Sequence, residues 1–330
     1  MNILITGAGG MLGRKLIAKL LAAGSVADRP ITSMALTDMS GLSDLAPLGR
    51  VRTVVADLCQ RGVATSVIES RPELIFHLAA VVSGEAEAEF EMGYRVNLDG
   101  TRALLEAIRK LGPGYCPRFV FASSVAVFGA PLPDVIDDDQ GLTPLTSYGT
   151  QKAICELLLA DYSRRGFIDG IGIRLPTIAI RPGKPNKAAS GFFSNILREP
   201  LAGAEAILPV DESVRHWFAS PRAAVGFIVH AATLDTAKLG SHRSLNLPGV
   251  SATVGEQLEA LKRVAGEGAV ALVKRVPDPQ IIKMIGSWPR SFDARRAREL
   301  GFVAESSFDE IIRVHIEDEL GGEVVRGPCP

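Results

Sequence analysis

Residues 2–13 read Asn2-Ile3-Leu4-Ile5-Thr6-Gly7-Ala8-Gly9-Gly10-Met11-Leu12-Gly13, and this stretch decides the fold class. The run Ile3-Leu4-Ile5 makes a strand that starts almost at Met1 and enters glycine directly, and a helical pattern follows over 11–23. Gly7 permits a tight turn, Gly10 lets the backbone approach a pyrophosphate, and Gly13 lets helix and strand pack closely. The helix N-terminus, at Met11 and Leu12, offers unpaired N–H groups and a partial positive charge to phosphates. The spacing is Gly-x-x-Gly-x-x-Gly; the commoner Gly-x-Gly-x-x-Gly fails at Leu12. A glycine triplet alone is weak evidence, but one set between a strand and a helix at the start of a domain is strong.

The rest of the first half repeats that alternation. Strands are predicted at 2–6, 33–38, 51–55, 74–78, 118–123 and 170–175. Most are near-continuously apolar, as strands covered on both faces should be. Helices are predicted at 11–23, about 60–70, about 86–111 and about 146–165. Parallel strands joined by right-handed crossovers give an α/β, doubly wound parallel Rossmann sheet. After about 180 the alternation breaks in the turn-rich stretch 181–191. The expected organisation is a cofactor-binding domain over 1–180 and a smaller mixed α/β substrate-binding domain over 181–330, with later segments able to return to the first. Helices are expected at 221–234 and 307–318, and the tail 321–330 is expected to fray.

Asp38 closes the second strand, where a carboxylate accepts hydrogen bonds from the adenosine ribose 2′-OH and repels a 2′-phosphate. NAD is therefore expected over NADP. Asp57-Leu58, after the third strand, is a second candidate for the adenine side, although an aspartate there equally suits a helix N-cap.

The catalytic candidates lie further on. Strand 118–123 ends in Ala122-Ser123-Ser124, at the carboxyl edge where open α/β sheets bind ligands. Tyr148 and Lys152 stand four residues apart at the start of a helix, so their side chains share a face. A free tyrosine titrates near pH 10, about 3 units above neutrality, and makes a poor base there. A neighbouring ammonium and a nicotinamide cation favour the phenolate. Ser124 is placed to hydrogen-bond a substrate oxygen against Tyr148.

These motifs, with His77-Leu78-Ala79-Ala80, Asn97-Leu98-Asp99-Gly100-Thr101 and Ser123-Ser124-Val125-Ala126-Val127-Phe128-Gly129, resemble the extended short-chain dehydrogenase/reductase family over nearly the whole chain. The resemblance implies that Ser124, Tyr148 and Lys152 are catalytic. It also implies that Leu78, Ala79, Ala80 and Asn97 line the cofactor channel and that backbone at Pro176 and Ile178 meets the nicotinamide. His77 is read as structural. Such enzymes commonly pair two long helices, here about 86–111 and 146–165, across a homodimer, and Leu157-Leu158-Leu159 spreads too far around its helix for one sheet-facing stripe.

The family holds dehydrogenases, nucleotide-sugar epimerases and dehydratases, so fold does not choose the reaction. Dehydratases carry an Asp-Glu pair after the catalytic hydroxyl, whereas Val125-Ala126 stand here. Nucleotide-sugar enzymes usually show Arg-Asp-Phe leading to Val-Asp-Asp; the matching stretch is Arg215-His216-Trp217-Phe218-Ala219-Ser220-Pro221, which keeps only the arginine. The wording of 77–85, Leu175-Pro176-Thr177-Ile178, Arg181-Pro182-Gly183 and Ser190-Gly191-Phe192-Phe193 resembles members that oxidise the C2 hydroxyl of a four-carbon sugar acid with NAD. An NDP-sugar 4-epimerase using tightly bound NAD is the alternative. A carboxylate substrate needs a cation, for which Arg181, Arg215 and Arg222 are the candidates, Arg215 first. Ser83, Asn186 and Ser190 are candidates for substrate hydroxyls.

Bulk properties agree. The 330 residues carry 36 basic and 37 acidic side chains, net −1, with no basic stripe for nucleic acid and no polybasic membrane anchor. No window reaches the roughly 18 apolar residues of a membrane span. No basic segment precedes the first strand, so a cytoplasmic protein without a cleavable leader is expected. Cys59, Cys116, Cys155 and Cys329 are scattered with no metal-ligand spacing, and reduced thiols are expected.

Overall fold

The computed structural model describes residues 1–39, 41–45, 49–183 and 190–323. The chain divides into two compact units, one made of Met1–Val127, Thr146–Arg174 and Val225–Leu245, the other of Phe128–Leu145, Leu175–Ala224 and Asn246–Pro330. One crossing between them falls at 174/175, near the expected boundary at 180. Val225–Leu245 is a later segment that belongs to the first unit, and Phe128–Leu145 an earlier one that belongs to the second; only the latter has no counterpart in the expected division.

The first unit is built on strands β1 (Asn2–Thr6), β2 (Ser33–Asp38), β3 (Val51–Val55), β4 (Leu74–His77), β5 (Arg118–Ser124) and β6 (Asp169–Leu175), with β7 (Ser244–Asn246) completing a seven-stranded sheet. The strand order is β3-β2-β1-β4-β5-β6-β7, the reversal on either side of β1 that marks a doubly wound fold. The β1·β2, β2·β3, β1·β4 and β4·β5 ladders are all parallel. Register puts Thr6 beside His77 and His77 beside Phe121. The residues that follow, Gly7, Leu78 and Ala122, thus emerge side by side at the carboxyl edge. The Rossmann architecture read from the sequence is present.

Helices α1 (Met11–Ala23), α2 (Val63–Ile68), α3 (Gly100–Lys110) and α4 (Ser147–Arg164) connect these strands. Leu104, Leu105 and Ile108 of α3 and Cys155 and Leu159 of α4 bury against Leu4, Ile75, Phe119 and Phe121 of the sheet. Thr146 caps α4 by accepting from the Gly149 N–H at 3.0 Å.

The continuous helix expected over 86–111 is a correction. Short helices at Ser83–Ala88 and Phe90–Gly93 meet at Glu89, whose backbone is non-helical (φ −116°, ψ 72°), and a π-helical turn over Tyr94–Asp99 leads into α3. A Cβ at Gly93 would fall 2.8 Å from Gln151 Nε2 on α4, so glycine lets the two segments close up. The π turn admits one extra residue per turn and carries the buried Asn97 side chain to Val81 and Gln151.

The second unit has its own core. Phe193, Ile196 and Leu197 from Gly191–Leu201 meet Phe218, then Leu258 and Leu261 from Val254–Ala265 and Phe308, Ile311 and Ile312 from Phe308–Glu319. Strand Arg215–Ala219 runs parallel to Thr177–Ile178 and antiparallel to Val250–Thr253. The helices expected at 221–234 and 307–318 are found at Pro221–Thr233 and Phe308–Glu319. Most of the tail, 324–330, lies outside the described residues, as do Asn186 and Cys329. No helix among the described residues is long and apolar enough to cross a membrane.

Candidate active site

The glycine turn shows why each small residue is needed. Gly7 has φ +72°, and a Cβ there would sit 2.6 Å from Ala79 N. A Cβ at Gly13 would land on Gly7 O and 2.8 Å from the Ala8 Cα. Gly7 and Gly13 are thus demanded by packing. Gly10 is different: its Cβ would meet nothing nearer than Gly7 O at 3.4 Å, so the protein leaves open space at the start of α1. Gly10 is the N-cap of α1, and it supplies no side-chain cap. The N–H groups of a helix's first turn have no partner within the helix, and here they lie beside an uncrowded backbone, a donor set suited to a pyrophosphate. Asp38 Oδ2 accepts from the Gly9 N–H at 2.9 Å, which seats the carboxylate at the rim of the same turn. These features fit a dinucleotide.

Asp57 is engaged within the protein. It accepts from the Cys59 N–H at 2.9 Å and pairs with Arg95. Burial raises its carboxyl pKa, but Arg95 and the Cys59 amide outweigh this and hold it below its ordinary value. Leu58 is buried beside it.

His77 is held from both sides. Thr101 donates to Asn97 O at 2.7 Å, so its oxygen accepts from His77 Nε2 at 2.8 Å; Nδ1 then accepts from Thr6 Oγ1 at 2.6 Å. Burial, and then the charge of Lys152, push its pKa down to about 3, so the ring stays neutral and braces β1, β4 and α3. Asn97 accepts from the Val81 N–H at 2.9 Å and donates to Gln151 Oε1 at 2.7 Å, fixing the loop that follows Leu78-Ala79-Ala80. Ser83 begins the next helix and is half-buried.

Ser124 ends β5, and its Oγ accepts from the Ala126 N–H at 3.1 Å. Lys152, one helical turn after Tyr148, is buried; its Nζ donates to Ala122 O at 2.8 Å and lies 5.7 Å from the Tyr148 ring centroid and 4.8 Å from that of Phe121. Burial drives its pKa down to about 8, with Cys155 and Glu156 opposing. The first unit therefore gathers the glycine turn, Asp38, Leu78–Ala80, Asn97, Ser124, Tyr148 and Lys152 along one sheet edge.

The remaining candidates belong to the second unit. Pro176 and Ile178 are buried. Arg181 Nε donates to Ile178 O at 3.0 Å and its Nη2 to Ser190 Oγ at 2.6 Å. Arg215 is half-buried, with Nη2 donating to Glu256 Oε1 at 3.1 Å and Nη1 reaching Ser251 O at 3.3 Å. Arg222 pairs with both Glu317 and Asp318, an ion-pair role within this unit. Cys59, Cys116 and Cys155 are free thiols, and no group of three metal-ligating side chains occurs among the described residues.

Sequence reasoning passed over a buried carboxylate on the same helix face. Glu156 accepts from Ser123 Oγ at 2.5 Å and pairs with Arg174 at 2.8 Å. Its spacing, four residues past Lys152, was the available signal.

A doubly wound sheet with this glycine turn and edge defines a dinucleotide-binding protein of the short-chain dehydrogenase/reductase type. The chain belongs to the NAD dependent epimerase/dehydratase family, which matches residues 3–238, and NAD is the cofactor of that family. It is 49% identical to the D-erythronate dehydrogenase of Cupriavidus necator, covering 96% of this chain and 98% of that protein. It is 44% identical to the D-erythronate dehydrogenase of Haemophilus influenzae, covering 97% and 100%. The crystal structure described as a nucleoside-diphosphate-sugar epimerase from Agrobacterium tumefaciens superposes with TM-score 0.93 at 62% identity, over 98% of this chain and 95% of that one.

Proposed function

We propose that this protein is an NAD-dependent dehydrogenase that oxidises the C2 hydroxyl of D-erythronate to the 2-keto acid. The observation that carries the reading is near-full-length kinship with two D-erythronate dehydrogenases on a chain that keeps Ser124, Tyr148 and Lys152 at one sheet edge. NAD⁺, when bound, supplies the hydride acceptor; the N-terminus of α1 takes the pyrophosphate and Asp38 the ribose diol. Leu78, Ala79, Ala80 and Asn97 flank it, the backbone at Pro176 and Ile178 meets the nicotinamide, and Asp57 with Leu58 lies towards the adenine. Tyr148 takes the C2 hydroxyl proton, Lys152 stabilises the phenolate, and Ser124 holds the substrate oxygen by a hydrogen bond. Arg215 binds the carboxylate, with Arg181, Ser190, Asn186 and Ser83 contributing to the substrate's surroundings. The protein acts in the cytoplasm as a homodimer, formed across α4 and the helical segment ending in α3.

The epimerase description attached to the Agrobacterium tumefaciens structure favours a second reading, an NDP-sugar 4-epimerase with tightly held NAD. The two separate in one experiment. Purified protein is given NAD⁺ with a panel of C4 to C6 sugar acids, and in parallel is titrated with UDP-sugars. NADH formation from D-erythronate is expected. Tight UDP-sugar binding with no NADH from any acid would overturn the dehydrogenase assignment and leave the cofactor site intact.

A further inference from the structure

Tyr148, Lys152 and Glu156 follow one another at four-residue intervals on α4, so they form a single stripe. Consecutive turns of that stripe grip consecutive residues of β5. Lys152 Nζ donates to Ala122 O at 2.8 Å, and Ser123 Oγ donates to Glu156 Oε1 at 2.5 Å. The next residue on the strand is Ser124. Behind the carboxylate, Arg174 of β6 donates through Nε to both oxygens at 3.1 Å and through Nη2 to Oε2 at 2.8 Å. Glu156 is 4% exposed and Arg174 8%.

Stability alone does not account for such a group. Taking both charges out of water costs several kcal/mol per ion, and apolar replacements of buried pairs are often neutral or stabilising. A carboxylate retained at this depth, one turn from a buried ammonium and hydrogen-bonded to the residue before Ser124, has a better explanation in what it holds. We infer that Glu156 is a positioning residue for the reaction: it locks the helix face carrying Tyr148 and Lys152 to the strand end carrying Ser124, and its charge keeps Lys152 cationic. The inference rests on the proposed roles of those three residues.

The ionisable surroundings of Lys152 are few. Tyr148, Cys155 and Glu156 share its helix, His77 faces it from β4 and stays neutral, and Arg174 stands behind Glu156 on β6. Burial lowers the lysine, while Cys155 and then Glu156 oppose that fall. A carboxylate and a guanidinium act on a nearby ammonium with opposite sign, which makes the idea testable without substrate.

The test titrates Lys152 in the full-length, NAD-free protein carrying ¹³Cε-lysine, with its resonance assigned by its loss in Lys152→Met. Glu156→Gln should lower the midpoint by about one unit, a tenfold loss of proton affinity, while Arg174→Met should raise it. The two substitutions shift it oppositely, so either decides the matter if the other fails to fold. Ser123→Ala keeps both charges. It should leave the midpoint in place and lower kcat for the oxidised acid about fivefold or more, with NAD binding unchanged and with rescue by Ser123→Thr. A midpoint that stays still in a folded Glu156→Gln or Arg174→Met protein that binds NAD refutes the electrostatic role. A Ser123→Ala enzyme as fast as wild type refutes the positional one. Should wild type oxidise no acid, the proposed reaction falls, and the lysine titration still judges Glu156.

Discussion

Lys152→Met should make the protein inactive and, near neutral pH, no less stable. Burial carries the pKa of Lys152 from its ordinary 10.5 down to about 8. At about 1.4 kcal/mol per unit, the folded state bears a penalty of about 3 kcal/mol for keeping this ammonium charged. The sign follows from linkage. Below pH 8 both folded and unfolded chains are protonated and the penalty is complete. Between pH 8 and 10.5 the unfolded chain holds a proton that the folded chain has released, so stability rises with pH. Above 10.5 the penalty has gone. Methionine removes the charge but also the bond from Nζ to Ala122 O, and an acceptor left without its donor costs about 1–3 kcal/mol. The variant should therefore be about 0–2 kcal/mol more stable than wild type at pH 7 and about 1–3 kcal/mol less stable above pH 10.5. Urea unfolding of the two NAD-free proteins at pH 7 and pH 10 reads most of that swing. A difference between them that is the same at both pH values would refute the reasoning.

Four further outcomes are expected. Tyr148→Phe should cut kcat by about 10²–10⁴ while NADH binding, followed by fluorescence, stays within about twofold; an active phenylalanine enzyme would remove Tyr148 as the base. Asp38→Ser should narrow the preference for NAD⁺ over NADP⁺ in kcat/KM, and a wild type that uses both cofactors equally would sink the role given to Asp38. Arg215→Ala should raise KM for a sugar acid by about tenfold, and not for the corresponding lactone, a modest factor because the guanidinium is half-exposed and screened. Leu157→Glu, on the exposed flank of α4, should shift a dimer towards monomer in light scattering, and a wild-type monomer at micromolar concentration would count against the proposed assembly.

The parts of the fold that were legible in the sequence are those where one physical constraint acts on consecutive residues. Buried parallel strands such as Ile3-Leu4-Ile5 and Phe119-Val120-Phe121 are apolar without interruption because both faces are covered. The Gly7 and Gly13 spacing is visible because a tight turn and a helix–strand contact each exclude a side chain. The break in the 86–111 helix was hidden, because its cause is tertiary: Gly93 yields to Gln151 on another helix, and Asn97 is drawn towards Val81. In the second unit the strands Thr177–Ile178, Ala206–Leu208 and Val273–Arg275 span two or three residues, too few for a period of two to register. Glu156 escaped notice because an isolated charge on a helix ordinarily marks the solvated face. Only the positions of Ser123 and Arg174 reveal that it is enclosed.

The proposed preference for an acid over a nucleotide sugar leans on the segment Arg215–Ser220, whose side chains are engaged as follows. His216 is buried; its Nδ1 donates to Pro289 O at 2.6 Å and its Nε2 accepts from Thr177 Oγ1 at 2.7 Å. Its ring stacks on Phe193 with centroids 5.5 Å apart. Burial pushes its pKa down to about 4, so it carries no charge at working pH and cannot meet a phosphate. Trp217 is spent on the Leu247 carbonyl, with its Nε1 donating at 3.1 Å, and Ser220 on Glu305. Arg215 is the one cation in the segment, and it already shares its guanidinium with Glu256. A single shared, half-exposed cation suits the one carboxylate of a small acid. A nucleoside diphosphate brings two phosphates and a base, and would have to draw its remaining partners from side chains that this segment has turned inward.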